Sequence, residues 1–232
     1  VSKSTKSSKG SYTVKDCTFD GEGEYAYPLI FKGANTIIVE NCAVKDYMYS
    51  FLYVTSSTNT VSVKNVTVED CPSYAVYFAS GVTNATFENL TVKNSNNGFV
   101  IDNTTNRSFT INNCNMENVG TAINHSKGTK TITCTVNGVN DFGGAALSQY
   151  VKLNAAAQIG TKIYGDLKTA VADAKDGDVI TIVADYALKN SEAAIADYDM
   201  YAYIAVTNKK ITIDLNGKKL TAAPELDKNL LG

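Results

Sequence analysis

Apolar and polar positions in the first half of the chain return with a period of 24 residues. Cys42, Val66, Leu90 and Cys114 mark the period, and Cys17 precedes them at a spacing of 25. Three residues before each marker stand Val14, Val39, Val63, Phe87 and Ile111, and five before stand Tyr12, Ile37, Val61, Ala85 and Phe109. Two residues after come Phe19, Val44, Val68, Val92 and Met116. Alternation of this kind predicts two short strands per repeat, each with one face inward. Between them the alternation breaks at Asp16, Asn41, Asn65, Asn89 and Asn113. Asn tolerates left-handed backbone geometry, so it bends one strand into the next. A third aliphatic column, Leu52, Val76, Val100, Ile123 and Leu147, follows at spacings of 24, 24, 23 and 24.

A fixed short period means that each repeat is one rung of a stack and buries its apolar face against its neighbours. Parallel strands stack about 4.8 Å apart, so every column becomes a row of touching side chains. Three short strands per rung of about 24 residues describe an all-β fold, a right-handed single-stranded parallel β-helix. In this reading the bend Asn residues donate amide hydrogen bonds along their column, because a buried, unsatisfied amide costs about 1–3 kcal/mol. Two charge columns support the same register: Lys15, Glu40, Lys64, Glu88, and Lys45, Glu69, Lys93, Glu117. Opposite charges on adjacent rungs favour this pairing and penalise a slip. A second turn column holds Asp46, Asp70, Asn94 and Asn118.

Residues 1–9 read as a polar tail or linker, and 10–150 as the β-helix, with the rhythm loosening after 129. Residues 151–163 read as a connector and 164–232 as a small α/β capping unit. There Leu167, Ala170, Val171 and Ala174 share a helical face, with Asp166 as N-cap and Gly177 beyond the end. Val179–Val183 and Ile211–Leu215 read as strands, the second closing in the turn Asn216-Gly217.

Composition narrows the partners. A formal net charge of −2 with well-mixed charges points away from nucleic acid. No apolar run reaches the ~20 residues of a membrane span, so no membrane insertion is expected. The first residues lack an apolar signal core, which fits a mature form or an excised fragment. The five cysteines lack zinc-ligand spacing; Cys17, Cys42 and Cys114 fall in the inward column, where free packed thiols are expected. No cofactor is expected.

Candidate chemistry is thin. Asp102 and His125, the single histidine, share a column position on adjacent rungs, and Arg107, the single arginine, lies close by. A carboxylate beside an imidazole can orient a general base, and the same residues fit a satisfied surface pair equally well. Asp46 and Asp70 sit in one turn column and are weak candidates for Ca²⁺. With Leu52 and Val76 facing inward, Phe51, Tyr53, Tyr77, Phe99 and Ile101 are expected to face outward as an aromatic binding ladder for glycans or for a covering segment. Tyr25, Tyr27, Tyr47, Tyr49 and Tyr74 cluster in nearby loops. Asn-x-Ser/Thr sequons occur at Asn65, Asn84, Asn89, Asn103, Asn106 and Asn124.

The bend column and the pairs Asn41-Cys42 and Asn113-Cys114 resemble the β-helical regions of bacterial and archaeal adhesin-like surface proteins, and more distantly the pectate-lyase-like fold. The stretch from Asp166 to Thr221, with its "TIDLNGK" strand, resembles the starting unit of secreted β-helix proteins. The resemblance implies a secreted or cell-surface microbial setting. Pectinolytic enzymes of this fold use a basic residue beside an acidic calcium cluster, or closely grouped aspartates, and neither pattern stands in this chain. A unit that looks like a beginning lies at the end of the chain, which leaves three arrangements open. It starts a second β-helix, it caps the first in cis, or it stacks on a neighbouring molecule. In the last case Tyr12, Val14 and Phe19 would meet Ile211, Ile213, Leu215 and Leu220 head to tail and build a filament. The expected function is a structural or adhesive rod; the rival is a polysaccharide lyase or hydrolase using Asp102, Arg107 and His125.

Overall fold

The computed structural model describes residues 10–55, 58–79, 82–102, 107–125, 130–189 and 204–221, and the backbone alone of 195–197, 200–202 and 222. The tail 1–9 and the sequons Asn103 and Asn106 lie outside the described residues. The chain winds into a parallel coil with three strands per turn. On the first face Val14, Val39, Val63, Phe87, Ile111 and Val136 lie in register, one above the other. On the second face the stacked row is Phe19, Val44, Val68, Val92 and Met116. The same rows form one continuous core, in which Ile37, Val61, Phe87 and Ile111 are fully buried.

The third face departs from the sequence expectation by one residue. Leu52 pairs with Val76, Val76 with Phe99, and Phe99 with Ile123. The shortened rung therefore falls before Phe99, in the corner Asn96-Asn97-Gly98. A Cβ on Gly98 would lie 2.8 Å from the Ala122 carbonyl oxygen and 2.7 Å from Met116, so glycine lets the chain cut this corner. A one-residue slip turns every side chain to the opposite face. Phe99 and Ile101 consequently point into the core, and Val100, expected to be inward, falls in the register of Tyr53 and Tyr77, where it is still buried. Phe51 is also buried. At its corner the amides of Phe51 and Leu52 both donate to the Ala75 carbonyl, so alternation lapses and two consecutive side chains face in.

The bend column stacks as expected but is exposed, not buried. Asn41, Asn65, Asn89 and Asn113 have φ between 51° and 54°, the left-handed region that the turn demands. Three of these amides donate toward the preceding rung: Asn89 to Asn65 at 2.8 Å, Asn65 to Asn41 at 3.0 Å, and Asn41 to the Asp16 carboxylate at 3.0 Å. The second turn column repeats the device, Asn118 donating to Asn94 and Asn94 to Asp70. Both files run the same way and end on a carboxylate, which accepts and has nothing to donate. On the outer surface Lys15–Glu40 and Lys64–Glu88 close at 2.8 and 3.0 Å, as the alternating charge columns require.

Beyond the last full rung the first face adds the strand Val151–Asn154, four residues past the expected end of the coil. The strand Lys162–Tyr164 then runs antiparallel to Val139–Asp141 and ties the following unit to the coil. That unit has its own core of Tyr164, Leu167, Ala170, Val171, Ile180 and Ile182. Its helix, Leu167–Asp173, is shorter than the 164–175 pattern, and the Asp166 carboxylate accepts from the Thr169 amide as N-cap. Lys209 donates to the carbonyls of Val171, Ala172 and Ala174, satisfying helix-terminal acceptors. The strands Val179–Ile182 and Thr212–Asp214 pair in parallel, as do Tyr186–Leu188 and Leu220–Ala222, so this unit sets out a parallel stack of its own.

All five thiols are free, Cys17 half-buried and the other four buried. Burial pushes the Cys71 and Cys114 thiols up to about 11. We expect Cys17 to react with a disulfide reagent at pH 8 at least ~100-fold faster than the other four, since thiolate fraction and access both govern the rate. Timed mass spectrometry of the labelled chain measures this, and fast labelling of Cys114 would contradict the packing.

Candidate functional site

Tyrosines on the third face form the most extended non-core cluster. The outward register runs Ile30, Tyr53, Tyr77, Val100 and Asn124. Tyr53 and Tyr77 stack at 4.8 Å and 14°, and Tyr27 and Tyr49 at 5.1 Å and 8°. Tyr27 leans on Tyr53, and Tyr74 on Tyr77. The Tyr27 and Tyr74 hydroxyls meet at 3.1 Å. Burial, and then that hydroxyl contact, pushes the Tyr74 phenol above its usual range. Of the expected ladder, then, the structure keeps Tyr53 and Tyr77 on the surface, adds Tyr27, Tyr49 and Tyr74, and moves Phe51, Phe99 and Ile101 inside.

Stacking decides what this face can do. Rings that lie flat on one another along the coil spend their faces on each other and present edges. A sugar packs on a ring face, so the interior of the ladder is poorly placed to hold one. Tyr25, 72% exposed and edge-on to Tyr49, is the open end of the cluster.

The shared column that set His125 beside Asp102 is displaced by one residue. In register, His125 follows Asn124, which pairs with Val100, and so His125 lies over Ile101, one residue short of Asp102. Its Nδ1 lies 2.7 Å from the Ile101 carbonyl oxygen, and its backbone amide donates to Ser148. The Asp102 carboxylate accepts the Tyr77 hydroxyl proton. Asp102 and His125 are 6% and 5% exposed, and Arg107 is half-buried and pairs its strand with Ile132. The one-residue shift at Gly98 is again the cause. Asp46 and Asp70 both adopt left-handed turn geometry; Asp70 accepts from Asn94, and Lys45 lies 3.9 Å from Asp46. Among the described residues no three His, Cys, Asp or Glu side chains converge to hold a metal.

The ends of the molecule are the remaining surface. The strands Ser11–Lys15, Thr18–Glu24 and Leu29–Phe31 each pair on one side only among the described residues. Tyr12 is 41% exposed there, and Val14 and Phe19 are half-buried. At the other extreme Thr212–Asp214 pairs, among the described residues, only with Val179–Ile182. Leu215 is 45% exposed, while Ile211, Ile213 and Leu220 are half-buried. Sequence reasoning missed the Tyr77–Asp102 contact, which joins adjacent rungs 25 residues apart but was hidden by the misplaced third-face register, and the Lys209 cap, which joins residues that no periodicity relates. No helix among the described residues is long and apolar enough to cross a membrane. No curated protein and no solved structure matches the chain. A family model described as a right-handed beta helix region matches residues 4–156 of the 232, and with the coil just described this chain belongs to that family.

Proposed function

We propose that the chain is a non-catalytic structural rod, displayed outside the cell, that continues its parallel stack end to end with a second copy. One observation carries this reading. Among the described residues the exposed large hydrophobics include Tyr12, Tyr25 and Ile30 on the first rung and Val179 and Leu215 in the following unit, beside Tyr49, Leu147, Ile204 and Val206. Among the described residues both extremes also present strands paired on one side only, and an unpaired edge is a template for further strands. Such a contact joins two different surfaces, so it does not close and yields a filament. The rival reading, a polysaccharide-cleaving enzyme, has less support because Asp102 and His125 are buried, with the Asp102 carboxylate engaged by Tyr77 and the His125 Nδ1 by the Ile101 carbonyl, although among the described residues the His125 Nε2 has no hydrogen-bond partner.

The test is sedimentation of the whole chain over a rising concentration series, with two end variants. Wild type is expected to gain mass without a plateau. Tyr12→Asp blocks one end and Leu215→Asp the other, so each alone stays monomeric. Mixed, they retain one good end each and should stop at a one-to-one dimer. A strictly monomeric wild type, or a Leu215→Asp chain that dimerises with itself, would overturn the proposal.

A further inference from the structure

A second interaction surface lies on the side of the molecule, where the coil meets the following unit. The strand Val151–Asn154 pairs with Ile132–Asn137 and, among the described residues, with no other strand. The Ile132 amide donates to the Tyr150 carbonyl, with Ile132 in register opposite Val151. In a parallel ladder that phase turns the backbone groups of residues 150, 152 and 154 toward the existing partner and those of 151 and 153 away from it. The Val151 amide is used by Ser148. The Leu153 N–H and C=O are left facing outward along the sheet.

They face a groove of about 650 Å³, bounded by Val151–Asn154 on one side and Val183–Asp185 with Lys218 on the other. The two walls splay because the Val183 amide still pairs with Ala156 while the chain beyond it turns away. A four-residue strand is about 13 Å long, with about 4.8 Å of sheet width and about 10 Å of thickness, roughly 600 Å³ in all. The groove therefore has room for one more short strand. Val151 and Leu153 are half-buried against the main core, so an added strand would cover them with apolar side chains at alternate positions. Lys152 and Lys218 line the groove and form no ion pair among the described residues, while the Asp185 carboxylate is already engaged by the Lys219 amide.

We propose that this groove takes up a short extended peptide by strand addition to Val151–Asn154, and that the peptide alternates apolar with acidic residues. Backbone pairing through Leu153 supplies the affinity, and Lys152 and Lys218 select the charge. The site is separate from both ends of the rod and does not rest on end-to-end stacking.

The test uses the full-length Tyr12→Asp chain, labelled with ¹⁵N, so that end contacts stay out of the readout. The peptides are Ac-Val-Glu-Val-Glu-Val-NH₂ and its Lys counterpart. The acidic peptide is expected to shift the Leu153 amide saturably and to slow its hydrogen exchange at least ~10-fold. Lys152→Glu with Lys218→Glu should reverse the preference between the two peptides, and Lys152→Met, a milder change, should weaken the acidic one while the spectrum stays dispersed. No saturable shift at Leu153, or equal binding of both peptides, would overturn the proposal. So would protection of Leu153 that rises with protein concentration alone, since that assigns the groove to a second copy.

Discussion

Replacing Phe99 with alanine is expected to lower stability by about 3–5 kcal/mol, the range for removing a buried aromatic side chain. Phe99 is fully buried between Phe87 and Phe109, with ring centroids 4.7 and 5.3 Å away. Its loss leaves a cavity inside a stack where each rung contacts only its neighbours, so little can move in to fill it. Val100→Ala, on the opposite register, removes two methyl groups and should cost about 1–2 kcal/mol. Urea unfolding of both variants, followed by circular dichroism, gives the comparison. If Val100→Ala proves the more damaging, the third face is out of register by one residue and the description of the tyrosine cluster fails with it.

The second large effect is expected at Asn65. Its φ of 52° lies where most L-residues are strained by about 1–2 kcal/mol. Its side chain also makes two file bonds, accepting from Asn89 and donating to Asn41. Exposed bonds of this kind contribute toward the lower end of about 0.5–1.5 kcal/mol each. Asn65→Ala loses both contributions, about 2–3 kcal/mol in total, whereas Asn65→Gly keeps the backbone comfortable and should lose about 1 kcal/mol less. Asn65→Asp still accepts from Asn89 but has no proton to donate to Asn41, and should fall between wild type and alanine. Equal destabilisation by Ala and Gly would show that the column's backbone geometry is not what the Asn supplies. The aspartate variant also explains why Asp16 and Asp70 stand only at the lower ends of their files. There the single requirement is an acceptor.

These two variants separate the roles of the fold's main devices. Phe99 reports the inward aliphatic and aromatic files, where area removed from water dominates. Asn65 reports the bend, where conformational tolerance and a polar file matter and burial contributes little. The tyrosine cluster combines the two, since its rings are half-buried and its hydroxyls tie Tyr27 to Tyr74 and Tyr77 to Asp102. Together they stiffen one side of the rod. The surfaces proposed for partners are the two ends and the lateral groove.

Much of the architecture was legible in the chain alone. The period of 24, the Asn bend column and the alternating charges determined a parallel coil with three strands per rung. They could do so because a stack repeats one local environment, and each rung imposes the same demand on the same position. Free thiols and the helix capped by Asp166 followed from equally local rules. Two things were decided only in three dimensions. Gly98 placed the one-residue shortening before Phe99, since a corner can be cut wherever a Cβ is missing and periodicity records only the net length of a rung. That single shift buried Phe99 and Ile101 and set His125 over Ile101 in place of Asp102. The lateral groove likewise depends on where two walls diverge after Asn154 and Val183. Nothing in either segment's sequence encodes the distance between them, because that distance is set by how two separately folded cores pack.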